Sequence, residues 1–529
     1  MRAGTTGPGG PTGPESTGPK NTGPESAGPK TTQLFQISTL YGAATLVAAL
    51  EGGQFGPRED ARRVLLLSHN AAVPETAVRL TEMRGWDRLA ARFDDIVDWN
   101  AAIRPHHPST WSPAANDAEI WQRLFRHSWG LGDGPVELAV ESVQVSPARA
   151  LATIFAESTV DVYADGLMSY GPTRNPLPGP LARRIRRLLH PDLVPGLRPL
   201  LLSEYGVPAE LVPTEALKKV IEELRGTERP EAAAPEATGR ETLNAPEDPA
   251  PSDGGPAGEP APGAPTAVLL GQYLAALDIL TPAEEEALHE RMLRGAAAAG
   301  HRSVLFKPHP TAPARYSRAL EKAAAEAGVR LAVTDTPMLA EELFRGGELR
   351  LVVGCFSTAM FTAAVCYGIP VARVGTELLL ERITPYENSN RVPLTITDQL
   401  VPEIGAFAET AVAAAAGPAA GPPGARPEGR DVAALTPLIR TVGFCMRPEA
   451  YPWLRAESAA WLEARLGEDG RLGEDVRRYF KRRRLTALGL PGKAEHSWPG
   501  RQLRRAAKAP GVKRLARAAR SARGRRPRP

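Results

Sequence analysis

The sequence predicts an α/β protein of two Rossmann-like domains facing one another across a cleft. Three observations carry this. Apolar runs of strand length alternate with helical stretches in two separate blocks. The runs of the second block are almost continuously apolar, as parallel strands covered on both faces are. An acidic segment rich in Pro and Ala, 225–265, separates the blocks and reads as a disordered linker.

Residues 1–30 repeat a Gly-Pro unit, TGPESTGPK followed by TGPESAGPK, with almost nothing apolar to bury; they read as a disordered arm. The first domain is expected over 31–224. Within it 62–70, 136–145 and 159–165 read as strands, and 39–50, 115–129 and 148–158 as helices. The second domain is expected over 266–412. Its strands are 266–273, 303–307, 330–334, 349–354 and 369–374. Its helices begin at Thr281, where Thr281, Pro282 and Glu284 have capping-box spacing with proline at the first helical position, and cover 314–328, 338–345 and 358–368. A Gly/Pro/Ala-rich loop, 413–430, precedes a helical region at 431–485 and a basic tail at 486–529.

The chain has 529 residues, 23% charged and 42% hydrophobic, with 50 Gly and 52 Pro. That length supports two or three domains with large cores. The net charge of +4 is uneven. Residues 501–529 hold twelve Lys/Arg and no acid, leaving about −8 for the rest (4 − 12). The body is therefore not a generally basic nucleic-acid binder. Cys355, Cys366 and Cys445 lie far apart without a CxxC pair, which fits neither a disulfide framework nor a zinc site and fits a reducing compartment. The first residues lack the apolar core of a signal peptide, and no run of 18 apolar residues appears. A cytoplasmic location is expected.

Ligands of doubly wound sheets sit beyond the C-terminal ends of the strands, so the polar residues there are the candidates. After 159–165 come Asp165, Gly166, Ser169, Tyr170 and Arg174. An Asp-Gly pair is a good turn in itself; it can also place a carboxylate in a cleft to take a proton. Arg174 could meet a carboxylate or simply face solvent. After 303–307 come Lys307, His309 and Pro310. Prolines on both sides limit the backbone freedom of His309, which suits either a structural hydrogen bond or a ligand contact, and Lys307 adds positive charge. After 349–354 come Ser357 and Thr358 at a helix start: an N-cap, an anion site, or both. Gln272 falls at the expected rim of the cleft. His69, Asn70, Glu141 and Gln144 end or line strands, with core or turn roles equally open.

In this order, YADGLMSY (163–170), KPHP (307–310) and CFSTA (355–359) resemble the acidic-Gly, His-Pro and Ser/Thr motifs of the bacterial sialyltransferases and α-2,8-polysialyltransferases, over about residues 33–400. The resemblance implies a GT-B fold, a CMP-sialic acid donor, inversion at the anomeric carbon and no required metal or other cofactor. It implies Asp165 as general base, His309 as the contact or acid for the departing CMP phosphate, and Ser357 and Thr358 as anion holders, with Lys307, Pro310 and Gln272 on the donor side. The family often has two acids before the glycine; here the first is Ala164. Two other readings stand beside this one. One is a related transferase using another activated donor, such as a polyol-phosphate transferase of cell-surface polymer synthesis. The other is a non-catalytic binder of anionic glycan or nucleic acid. The implied partners are a nucleotide-sugar donor and a glycan or glycolipid acceptor. The 501–529 tail is either solvated or docks on an anionic membrane surface.

Overall fold

A computed structural model describes residues 31–71, 74, 78–225, 264–309, 315–334, 337–344, 348–415 and 429–493. Pro310, the Gly/Pro arm, nearly all of the linker, most of 413–430 and the 501–529 tail lie outside the described residues.

The first domain holds seven strands: β1 (Thr31–Ile37), β2 (Ala61–Leu67), β3 (Asp95–Asp98), β4 (Val136–Val140), β5 (Val160–Tyr163), β6 (Ile185–Pro191) and β7 (Ala209–Val212). The second holds five: β8 (Ala267–Leu270), β9 (Ser303–Lys307), β10 (Arg330–Val333), β11 (Leu351–Gly354) and β12 (Val371–Arg373). All pairings between these strands are parallel. The spatial orders are β3-β2-β1-β4-β5-β6-β7 and β10-β9-β8-β11-β12. Strand order therefore reverses beside β1 in one sheet and beside β8 in the other, and such switch points open the crevice where ligands bind.

Alternation along each strand shows why the first sheet is covered twice. Leu34, Val64, Leu66, Leu138, Val140, Val162 and Leu188 enter one core with Trp99, Phe125 and Leu151. Their neighbours Phe35, Leu65, Ala139, Tyr163 and Leu189 enter another with the helices Leu40–Glu51 and Thr214–Arg225. Successive side chains of a strand point to opposite faces, so both faces are buried.

Four strands, β1, β3, β6 and β7, lie outside those expected from patterning. Polar residues interrupt the apolar runs of two of them. In β1, buried Gln33 donates to Phe55 O at 3.1 Å and buried Gln36 donates to Ser68 Oγ at 3.0 Å. In β6, Arg186 and Arg187 pair with buried Asp161 of β5 at 2.8 and 3.1 Å. These partners offset the cost of burying polar groups. The expected strand 136–145 ends at Val140. Gln144 instead accepts the backbone N–H groups of Arg174 and Asn175, at 2.6 and 3.0 Å, and holds a loop beside the cleft. The expected helix 338–345 is only a 3-10 turn, Ala340–Leu343.

The C-terminal helices close the molecule. One core runs from the second sheet through Val432–Phe444 and Tyr451 to Leu167, Tyr170 and Leu193–Leu200 of the first domain. Tyr451 is fully buried; its hydroxyl accepts from Thr173 N at 3.2 Å and lies 2.8 Å from Leu200 O and 2.9 Å from Glu204 Oε2. Buried Arg391 donates to Tyr386 O and Ile383 O at 2.8 and 3.0 Å, and its guanidinium lies over the Tyr386 ring. It thereby shapes the loop that carries Ser389 and Asn390 to the cleft. Tyr451→Phe leaves buried partners without a hydrogen bond and should destabilise the fold by about 1–3 kcal/mol, read as a lower denaturation midpoint with secondary structure retained.

Candidate active site

A cleft of about 450 Å³ opens between the two sheets, lined from the first domain by Glu141, Asp165, Ser169 and Arg174 and from the second by Gln272, His309, Ser357 and Thr358. The elements at the two switch points supply both walls.

On the first wall, consecutive hydroxyls at the end of β1 hold two carboxylates from neighbouring strands. Ser38 Oγ donates to Glu141 Oε2 at 2.5 Å, just past β4. Thr39 Oγ1 donates to Asp165 Oδ2 at 3.0 Å, just past β5. The same Thr39 oxygen accepts the Gly42 N–H at 2.9 Å as N-cap of the helix Leu40–Glu51. Gly42 is glycine for space: a Cβ there would sit 3.0 Å from Thr39 Oγ1, 3.1 Å from the Tyr163 hydroxyl and 3.4 Å from Asp165 Oδ2. Burial raises the pKa of Asp165, and the Thr39 hydrogen bond opposes the rise. Burial, and then the charge of Asp165, push Glu141 up to about 7.

On the second wall, His309 projects into the mouth of the cleft with its ring stacked on Tyr273 (centroids 5.0 Å, planes 8° apart). Desolvation, and then the charge of Lys307, lower its pKa, so the imidazole is neutral at pH 7. Lys307 does not itself line the cleft. Its own pKa is lowered by desolvation, against the charges of Glu341 and Glu342. Ser357 caps the helix Thr358–Tyr367 by accepting Ala359 N–H at 3.3 Å. Gln272 lines the cleft, while its backbone N–H donates to His289 Nε2 at 3.3 Å.

The walls are joined. A Cβ on Gly166 would come within 2.9 Å of Thr358 Oγ1, so the Asp-Gly loop runs directly beside the helix start of the other domain. Tyr41 and Thr362 share a buried hydrogen bond of 3.0 Å between domains, and Arg174 donates to Ser389 Oγ. The structure thus gathers Asp165, Gly166, Ser169, Arg174, Gln272, His309, Ser357 and Thr358 in one cleft. Ser169 is buried and donates to Gly166 O at 3.0 Å, bracing the loop. Tyr170 is not in the cleft: it is fully buried, and its hydroxyl accepts Val194 N–H at 3.1 Å. His69 stays outside as well, bonded to Val78 O at 3.2 Å. Ser38, Thr39, Gly42 and Tyr273 went unmarked by the sequence. The Ser-Thr pair after an apolar run was the available signal. Among the described residues no group of three or more His, Cys, Asp or Glu could hold a metal ion. No helix of the described residues is long and apolar enough to cross a membrane.

Two doubly wound parallel sheets with polar strand ends meeting at a cleft define a GT-B fold. Within it, the chain belongs to the alpha-2,8-polysialyltransferase (POLYST) family, whose family model matches residues 33–376. Solved structures resemble it only distantly. A protein assigned as a UDP-N-acetylglucosamine 2-epimerase from Listeria monocytogenes shares 13% identity over 79% of this chain and 97% of its own, at a TM-score of 0.39. Medicago truncatula UGT71G1 in complex with UDP-glucose shares 8% over 81% and 98%, at 0.38. Acinetobacter baumannii MurG shares 11% over 71% and 85%, at 0.34. At such scores these likenesses carry no argument about activity. No curated protein sequence matches this chain.

Thr39→Val removes both the helix cap and the donor to Asp165. Cap loss should cost about 0.5–2 kcal/mol, read in the melting midpoint. Loss of the donor should raise the pKa of Asp165 further, read as a shift of its carboxyl titration by NMR. Thr39→Ser should keep both properties.

Proposed function

We propose that the chain transfers sialic acid from CMP-sialic acid to a glycan acceptor, with inversion and without a required metal. The single observation behind this reading is that Asp165 of the first sheet faces the same cleft as His309, Ser357 and Thr358 of the second.

The polarity of the cleft suits the reaction. Its acidic wall would receive the acceptor hydroxyl and its opposite wall the phosphate. Asp165 takes the acceptor proton as the acceptor oxygen bonds to the anomeric carbon, and the bond from that carbon to the CMP phosphate breaks with its electron pair leaving on phosphate. Burial raises the proton affinity of Asp165 and so strengthens it as a base, while the Thr39 hydrogen bond stabilises its charged form. Neutral His309 can donate one ring N–H to the departing phosphate. The approach of that anion raises the histidine's affinity for a proton, so His309 becomes a better donor as charge develops. Ser357, Thr358 and the backbone N–H groups at the helix start would hold the phosphate or the donor carboxylate. Gln272 and the Tyr273 platform fit the donor side, and Lys307 contributes charge from behind His309. Arg174, at the seam between the domains, is placed to meet an anionic group of the acceptor.

Incubation of the purified protein with CMP-sialic acid and a glycan acceptor, in the presence of EDTA, should release CMP. Asp165→Ala should lower kcat/KM by about 10²–10⁴-fold, the range for general-base catalysis. His309→Ala should lower it by about 10–100-fold, as expected for a hydrogen bond to a charged group. Turnover of CDP-glycerol in place of CMP-sialic acid would overturn the donor assignment, and wild-type rates in Asp165→Ala would overturn the base. The twelve basic residues of 501–529 support docking on the anionic inner face of the cell membrane, at about 1 kcal/mol per residue near the surface. Deleting 501–529 should abolish co-sedimentation with phosphatidylserine vesicles while CMP release with a soluble acceptor persists.

A further inference from the structure

Glu141 and Asp165 form a built pair. Adjacent residues just past β1, Ser38 and Thr39, each give a hydroxyl to one of the two carboxyls. Both acids follow neighbouring parallel strands, with β4 and β5 in register from Leu138↔Val160 to Val140↔Val162. Both line the cleft. Glu141 is further fixed by its backbone N–H, which donates to Gln36 Oε1 at 3.2 Å. Two carboxylates in one desolvated site do not both ionise at neutral pH without a cation beside them.

Among the described residues no basic side chain forms an ion pair with Glu141, and Arg174, which lines the same cleft, donates to Ser389 Oγ. Tyr163, from β5, faces both carboxyls, but its hydroxyl donates to Gln36 O at 3.0 Å. Tyr41, from the helix after Thr39, is occupied with Thr362. From the second domain, Glu341 adds a third acid near Asp165 and is itself pushed up to about 7 by burial. Lys307 acts on Glu341 and Glu342.

We propose that Glu141 is a positioning residue of the transfer reaction: it carries the one proton the pair holds, leaving Asp165 as the anionic base. This rests on the proposed function. The order follows from the environment: Asp165 Oδ2 lies at the N-terminus of the helix Leu40–Glu51, bonded to its N-cap Thr39 and beside Gly42 of its first turn, and a helix N-terminus favours the anion there. In the transfer step the acceptor proton passes to Asp165 while Glu141 keeps its own. When Glu141 ionises, a second negative charge enters a cleft that must admit an anionic donor, and donor capture falls.

The test is the pH dependence of kcat/KM for the donor, paired with melting measurements on the full chain. Wild type should lose kcat/KM above about pH 7, where Glu141 ionises. Glu141→Gln, which mimics the protonated acid, should move that alkaline limb up by at least one pH unit, and Glu141→Ala should be more impaired than Glu141→Gln. Glu341→Gln, which removes the other acid titrating near neutrality, should leave the limb in place. A Glu141→Gln profile that overlays the wild type, or a limb that moves with Glu341→Gln instead, overturns the proposal.

Melting gives a readout independent of activity. A carboxyl whose folded pKa is raised stabilises the fold at low pH and loses that contribution as pH climbs from the unfolded to the folded value. Wild type should therefore lose melting temperature between pH 5 and 8, and Glu141→Gln should lose less. Equal losses overturn the proposal. A flattened Glu141→Gln curve in a protein that turns over no donor would overturn the proposed function and leave the proton-sharing pair standing.

Discussion

The cleft depends on how the chain leaves β5. Leu167 and Tyr170 turn away from the first sheet into the core of the second domain, and the Tyr170 hydroxyl ties the loop to Val194. Burial of two large apolar side chains, each contributing about 1.5–3 kcal/mol, clamps the 165–171 segment between the sheets. Gly166 then passes so close to Thr358 that a Cβ there would force the Thr358 side chain to shift. Apolar packing thus fixes the loop that carries Asp165, and the Thr39 and Ser169 hydrogen bonds set its carboxyl and backbone within that frame.

The clamp explains how the two domains meet. A buried hydrogen bond between Tyr41 and Thr362 and a core continuous through the C-terminal helices give the interface the character of a domain interior. The same packing desolvates the acids beside it. Asp165, Glu141 and Glu341 all have raised pKa values with burial as the leading cause. Perturbed groups gathered at a cleft are what acid-base chemistry requires, and here they arise from the way the halves are joined.

Much of this was legible in advance. β9 lies on its expected residues, 303–307, and the capping box at Thr281 and Glu284 forms as its spacing implies. Local chemistry governs such features: a continuous apolar run, a hydroxyl three residues before a glutamate. The expected cleft residues Asp165, His309, Ser357 and Thr358 also meet, because strand ends of doubly wound sheets converge at the switch point. β1 and β6 escaped because polar side chains interrupt their apolar runs, and the groups that hold these side chains, Phe55 O, Ser68 and Asp161, are distant in sequence, which pattern alone does not reveal. Tyr170 was placed in the site by its nearness in sequence to Asp165. The turn over Leu167–Tyr170 carries it into the core instead.

By itself the sequence determined the two-domain α/β architecture, the polar strand ends that carry the chemistry and the family motifs, since each rests on short-range pattern and spacing. Tertiary structure decided which groups share a charge environment. Ser38, Thr39, Glu141, Asp165 and Glu341 lie up to three hundred residues apart. Their protonation states follow from distance and desolvation, and only the folded chain sets these.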